Sequence, residues 1–138
     1  MNRDEIRGIL PHREPMLLID EVFIGEDAQA RGQYTVQGDE WFLQGHFPGN
    51  PIVPGVILCE MMAQTCCVLF DKREENELYF FTGLDKIRFK KNVVPGDTIA
   101  FTCSVVKSKG PFHFAKGQGT VDGKVCVAGE FSFAMGKA

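Results

Sequence analysis

The chain lacks any long uninterrupted apolar run. Its most hydrophobic region, Ile52 to Phe70, is broken by Pro54, Gly55, Glu60 and Gln64, whereas a membrane-spanning helix needs about 20 mostly apolar residues. It also lacks a basic surplus. Lys and Arg number 15 against 18 Asp and Glu, for a net charge of -3. That argues against nucleic acid as the main partner, because phosphate binding draws on a cationic excess or a dense patch. No C-x-x-C pair is present. The five cysteines, at 59, 66, 67, 103 and 126, are odd in number and lack zinc-site spacing, so no metal is expected. They fit reduced, buried thiols of a cytoplasmic protein. The start, MNRDEIRGIL, carries charges where a secretory leader needs an apolar stretch. Without repeats, low-complexity tracts or a flexible linker, residues 1–138 are expected to form a single domain. At 44% hydrophobic and 24% charged, that domain can build a packed core.

The patterning that is present predicts an α+β fold. Asn2 can cap a short helix with Asp4 and Glu5 in its first turn, stopped by Pro11. Residues 16–25 and 28–36 read as extended segments around a turn at Gly25–Asp27. From Asp39 to Pro54, with Gly45, Pro48, Gly49, Pro51 and the only Trp, the chain is a loop of fixed shape. A helix is predicted from Gly55 to about Lys72, apolar on nearly every face and hence buried on most sides. Strands follow at 78–90, 97–108, 111–121 and 124–135. Asp122-Gly123 is a strong hairpin signal and Lys109-Gly110 a weaker one. Phe112/Phe114 and Phe131/Phe133 alternate as a sheet with one apolar face requires, which places His113 on the opposite face. One central helix followed by an antiparallel meander can bury that helix by wrapping a curved sheet over it.

Three features within this frame carry chemistry. Glu60 interrupts the apolar helix between Cys59 and Met61. A buried carboxylate needs a partner or must hold its proton, and Gln64, one turn on, can donate to it. An exposed stripe shared by Glu60 and Gln64 would account for the pattern equally well. His46 lies in Gly45-His46-Phe47-Pro48-Gly49, a loop stiff enough to hold a general base, although a structural hydrogen-bonding role is also open. The helix start at Gly55-Val56 offers amides without intrahelical partners, able to polarise a carbonyl oxygen. Base, acid and oxyanion donor are what a β-elimination next to a carbonyl requires.

These residues also carry a resemblance. Leu10-Pro11-His12-Arg13, Gly45-His46-Phe47-Pro48-Gly49-Asn50-Pro51, Pro54-Gly55-Val56 with Glu60, and Ala63-Gln64 are similar to the (3R)-hydroxyacyl-acyl-carrier-protein dehydratases of bacterial type II fatty acid synthesis. Gly83-Leu84-Asp85, Arg88-Phe89 and Val94-Pro95-Gly96-Asp97 extend the likeness over nearly the whole chain. The resemblance implies a hotdog fold, a long central helix wrapped by an antiparallel sheet. It implies a homodimer, usually assembled as a trimer of dimers, in which His46 faces Glu60 of the partner chain. It implies no metal and no organic cofactor, a Gly55 amide on the thioester carbonyl, and Gln64 supporting Glu60. Two positions depart from the family pattern: Glu14, where an aromatic usually precedes Pro15, and Cys66-Cys67 in the helix. Glu rather than Asp at 60 favours the simple dehydratase over the relative that also isomerises the double bond.

Lys86, Arg88 and Lys90 alternate along one predicted strand and so are expected to share a face, with Lys91 at its end. They form either an ordinary solvated sheet face or a stripe that guides an acidic partner, which by the resemblance is acyl carrier protein. Phe47 and Phe89 are candidates for lining an acyl channel among 12 phenylalanines. Two other readings stay open: an enoyl-CoA hydratase of the same fold, and a non-catalytic hotdog protein that binds acyl chains. The latter has no need of His46 and Glu60. A cysteine nucleophile is disfavoured because Cys59 and Cys66 lie in the apolar helix.

Overall fold

The computed structural model describes residues 1–70 and 76–137. Asn2 caps α1 (Arg3–Arg7): its side chain accepts from the Glu5 amide at 3.0 Å, and the Glu5 carboxylate accepts from the Asn2 amide at 3.3 Å. The helix ends at Arg7, ahead of Pro11. The strands are β1 (Glu21–Ile24), β2 (Ala30–Thr35), β3 (Glu77–Phe89), β4 (Thr98–Lys109), β5 (Phe112–Val121) and β6 (Lys124–Lys137). All six pair antiparallel in one sheet, in the order β1-β2-β4-β5-β6-β3. The long helix α2 (Gly55–Cys67) lies against β2, β4, β5 and β6. Ten of its thirteen residues are buried, which only a sheet curved around it can achieve. The approach is close: a Cβ at Gly117 of β5 would lie 2.9 Å from Cys103 Sγ and 3.1 Å from the Met62 side chain.

Both hairpins expected from the sequence form. Asp122 (φ 52°) and Gly123 (φ 78°) are both left-handed, as a two-residue turn matched to strand twist demands. Gly110 (φ 60°) turns β4 into β5. Four expectations change. Only β4, β5 and β6 form a meander, because β2 occupies the other edge of β4 and β3 crosses to the free edge of β6. Phe112 and Phe114 face outward, exposed; His113 faces inward, against Phe70 at 4.3 Å and Phe133 at 5.4 Å between ring centroids. Residues 16–20 are not strand, although Leu17, Leu18 and Ile19 are all buried, since Leu18 N–H and Met16 C=O bond to a side chain of α2 rather than to a neighbouring strand. And α2 ends at Cys67, where the Leu69 and Phe70 amides tighten onto Cys66 and Cys67 carbonyls; Lys72, the expected end, lies outside the described residues.

The five cysteines are free and buried. Burial pushes the Cys66 thiol up to about 12 and holds Cys67 and Cys103 well above the ordinary range. Cys103 and Cys126 donate to the Met62 and Gly119 carbonyls, both at 3.3 Å. These are packing residues rather than nucleophiles. No helix among the described residues is long and apolar enough to cross a membrane.

One hydrogen-bond network fixes the start of the 39–54 loop. Glu40 accepts from Tyr34 Oη (2.8 Å), Gln37 N (2.8 Å) and Gly38 N (2.7 Å). Partial burial pushes its carboxyl pKa up, but the two amides and the Tyr34 hydroxyl outweigh burial and hold it below the ordinary value. A carboxyl depressed in the folded state stabilises the fold above its unfolded pKa and loses that contribution as pH falls through the folded one. Glu40→Gln is therefore expected to destabilise the protein at neutral pH, and the gap to wild type should close below about pH 4. Urea midpoints of both proteins across that range check this.

Candidate active site

Glu60 is the one residue of α2 beyond its first turn that is not buried, so it forms a polar break in an otherwise sealed helix. Its neighbour Gln64 is 1% exposed, which removes the solvent-facing stripe as an explanation for the pair. The orientation of the Gln64 amide follows from its partners. Leu18 N–H can only donate, and it does so to Gln64 Oε1 at 2.9 Å. The opposite end must then be Nε2, whose two hydrogens go to Met16 O (2.8 Å) and Glu60 Oε2 (2.9 Å). Glu60 Oε2 is therefore an acceptor, fixed by a side chain that is itself tied to backbone at both ends.

His46 is oriented with equal definition. Gly45 (φ 81°) and Gly49 (φ 72°) adopt left-handed backbone on either side of it. The loop closes through Phe47 N–H to Asn50 O (3.0 Å), Asn50 N–H to Phe47 O (2.8 Å) and Ile52 N–H to His46 O (2.8 Å), and the His46–Phe47 peptide is cis. The imidazole stacks on Phe47 at 4.4 Å, and its Nδ1 lies 2.8 Å from Ile52 O. A carbonyl only accepts, so Nδ1 carries a hydrogen, and in the neutral ring Nε2 keeps its lone pair. This is the tautomer of a general base.

Glu60 lines a pocket of about 40 Å³ with His12, Ala63, Gln64, Cys67, Tyr79, Phe80, Phe81 and Phe133, and His46 is not among its walls. That space is close to a single water's share of liquid volume, far below what an acyl thioester occupies. Phe80 and Phe81, at 49% and 41% exposed, stand on β3, the edge strand beyond β6.

At the start of α2, the Ile57 and Leu58 amides both donate to Pro54 O, so those of Gly55 and Val56 lie ahead of the first helical hydrogen bond. A Cβ at Gly55 would sit 2.8–3.1 Å from the ring carbons of Phe89. The ring is the far end of an exposed side chain, so it fills the space over Gly55 without itself demanding glycine. Phe47, Val56 and Phe89 are all more than half exposed. The basic stripe is interrupted. Lys86 (φ 53°) and Ile87 form a bulge opposite Gly129, so that Asp85 pairs with Glu130 and Arg88 with Ala128. Asp85 and Arg88 therefore share a face, and Lys90 and Lys91 lie past the strand end. All four cations remain exposed.

His12 has no role on sequence grounds beyond its place in Leu10-Pro11-His12-Arg13. The structure puts its Nε2 3.5 Å from Glu60 Oε2. Glu14, the departure just beyond it, pairs with Arg3 and Arg7 of α1, and those contacts hold its carboxyl down to about 2. Among the described residues, no three His, Cys, Asp or Glu side chains cluster to hold a metal ion.

Solved structures with this architecture include hotdog proteins. The dehydratase heterocomplex ApeI:P from Xenorhabdus doucetiae superposes with a TM-score of 0.83 at 24% identity, covering 96% of this chain and 91% of that one. The fluoroacetyl-CoA thioesterase FlK superposes with a TM-score of 0.67 at 13% identity, over 86% and 90%. At these identities the likeness establishes the hotdog fold. Residues 10–130 match the FabA-like domain, and the chain belongs to that family. Its curated relatives include the 3-hydroxyacyl-[acyl-carrier-protein] dehydratases FabZ of Clostridium perfringens (43% identical, 99% of each chain), Geobacillus sp. strain WCH70 (44%, 96% of this chain and 93% of that one) and Streptococcus pyogenes serotype M1 (42%, 99% and 100%).

The Gln64 clamp yields a direct expectation. Gln64→Leu roughly keeps the volume but leaves the buried Leu18 N–H without an acceptor, so it should destabilise the protein by about 1–3 kcal/mol. Urea unfolding monitored through the single Trp measures this.

Proposed function

We propose that this chain is a 3-hydroxyacyl-acyl-carrier-protein dehydratase of fatty acid biosynthesis, removing water from the (3R)-hydroxyacyl thioester to leave the trans-2-enoyl product. One observation supports the assignment of roles: His46 and Glu60 are each held in one orientation by a hydrogen bond to a fixed partner. His46 Nε2 takes the proton from the carbon next to the carbonyl. The Gly55 amide, with the Val56 amide beside it, stabilises the enolate-like oxygen. Glu60 delivers a proton to the departing 3-hydroxyl, which leaves as water while the electron pair closes the double bond. Gln64 holds Glu60 in place, and Phe47 and Phe89 flank the entrance. No cofactor takes part, and the reaction is placed in the cytoplasm.

The site is completed in this reading by a second copy of the chain. Support comes from the small pocket at Glu60, the absence of His46 from its walls, and the exposed aromatic residues on the free edge of β3. His46 of one subunit then meets Glu60 of the other, and the dimers assemble further as a trimer of dimers. His46→Ala and Glu60→Gln should each slow enoyl-thioester formation by about 10²–10⁴-fold, and mixing the two inactive variants should restore part of the activity. Full activity in either variant overturns the roles, and no recovery on mixing of exchanging subunits overturns the shared site.

The substrate is presented by acyl carrier protein. Lys86, Arg88, Lys90 and Lys91 are placed at its docking surface as an irregular basic cluster around the β3 bulge. Charge reversal at Lys86 and Arg88 should raise KM for carrier-linked substrate about 10-fold and leave a short soluble thioester unaffected. Equal effects on both substrates would remove the docking role.

A further inference from the structure

We propose that His12 is a positioning residue that, together with Gln64, dictates which oxygen of Glu60 carries the proton delivered to the substrate. The inference rests on Glu60 being the acid and concerns how it is presented. Gln64 Nε2 already donates to Glu60 Oε2 at 2.9 Å, and His12 Nε2 approaches the same oxygen at 3.5 Å. His12 Nδ1 is buried and has no hydrogen-bond partner among the described residues. Of the two neutral tautomers, the Nδ1–H form would strand a buried donor and turn the Nε2 lone pair toward a carboxyl oxygen. The Nε2–H form avoids both and points its hydrogen at Oε2. With two donors converging on Oε2, a proton on Glu60 belongs on Oε1.

The segment that carries His12 is built to hold it there. The Arg13 guanidinium turns back onto Leu10 O (2.9 Å) and His12 O (2.7 Å). Glu14 is gripped by Arg3 and Arg7, Pro15 O accepts from Trp41 Nε1 at 3.2 Å, and Met16 O accepts from Gln64. The separation of 3.5 Å is long for a hydrogen bond, but contacts of this kind commonly shorten when substrate closes the site.

The test uses the geometry of amide substitutes. Glutamine places its terminal NH₂ near the position of histidine Nε2, asparagine near that of Nδ1. His12→Ala and His12→Asn should lower kcat by about 10–100-fold with KM within about 2-fold of wild type, and His12→Gln should retain kcat within about 3-fold. Adding His12→Ala to Glu60→Gln should cost less than about 2-fold more, since the two act as a unit. A wild-type kcat in His12→Ala, an equal loss in all three single variants, or a fully additive double variant would each overturn the proposal. An active Glu60→Gln, measured in the same assay, would instead overturn the underlying assignment of the acid.

Discussion

A buried primary amide can satisfy its surroundings in only one orientation, and the site depends on that constraint at Gln64. Leu18 N–H fixes the carbonyl end, Met16 O and Glu60 take the two N–H bonds, and no bond remains to be made by a flipped amide. The same side chain docks residues 16–18 onto α2, sets the rotamer of the ionisable residue one turn earlier, and keeps a polar group inside an otherwise apolar helix. Packing and chemistry are therefore coupled through one residue. A sheet that wraps a helix so completely leaves little room for an adjustable carboxyl, and the clamp removes the need for adjustment.

The sheet order gives the site its second condition. Because β3 crosses to the far side of β6, the strand bearing Phe80 and Phe81 ends the sheet beside the pocket at Glu60, paired on one side with β6 and open on the other among the described residues. An open edge of that length invites another strand. On the dimer reading, a liability of the isolated fold is the means by which the pocket gains its missing wall, and folding, association and catalysis share one surface.

Much of this was legible in the residues because it is local. The buried helix, the two hairpins and the stiff loop follow from periodicity, Asp-Gly and Gly/Pro spacing, a helix apolar on nearly every face asks for a wrapped sheet, and the family likeness named the fold. What was not legible depends on non-local choices. Leu17, Leu18 and Ile19 look like a strand, but Gln64 takes their backbone bonds. Lys86, Ile87 and Arg88 look like regular alternation, but a bulge opposite Gly129 breaks it. Phe112 and Phe114 look like core, yet the inward register went to His113, which packs on Phe70 and Phe133. His12 and Glu60 are distant in sequence, and no pattern in either segment announces that their side chains meet.

The ring of Phe89 lies over Gly55 while remaining more than half exposed to solvent. Exposed side chains change rotamer in picoseconds to nanoseconds, whereas ordinary enzymes turn over on the order of 1–10³ times per second. A cover of this kind opens and shuts many thousands of times within one catalytic cycle. Its influence falls on shape, through what fits beneath the ring beside the first turn of the helix, and leaves the tempo of the reaction to slower events.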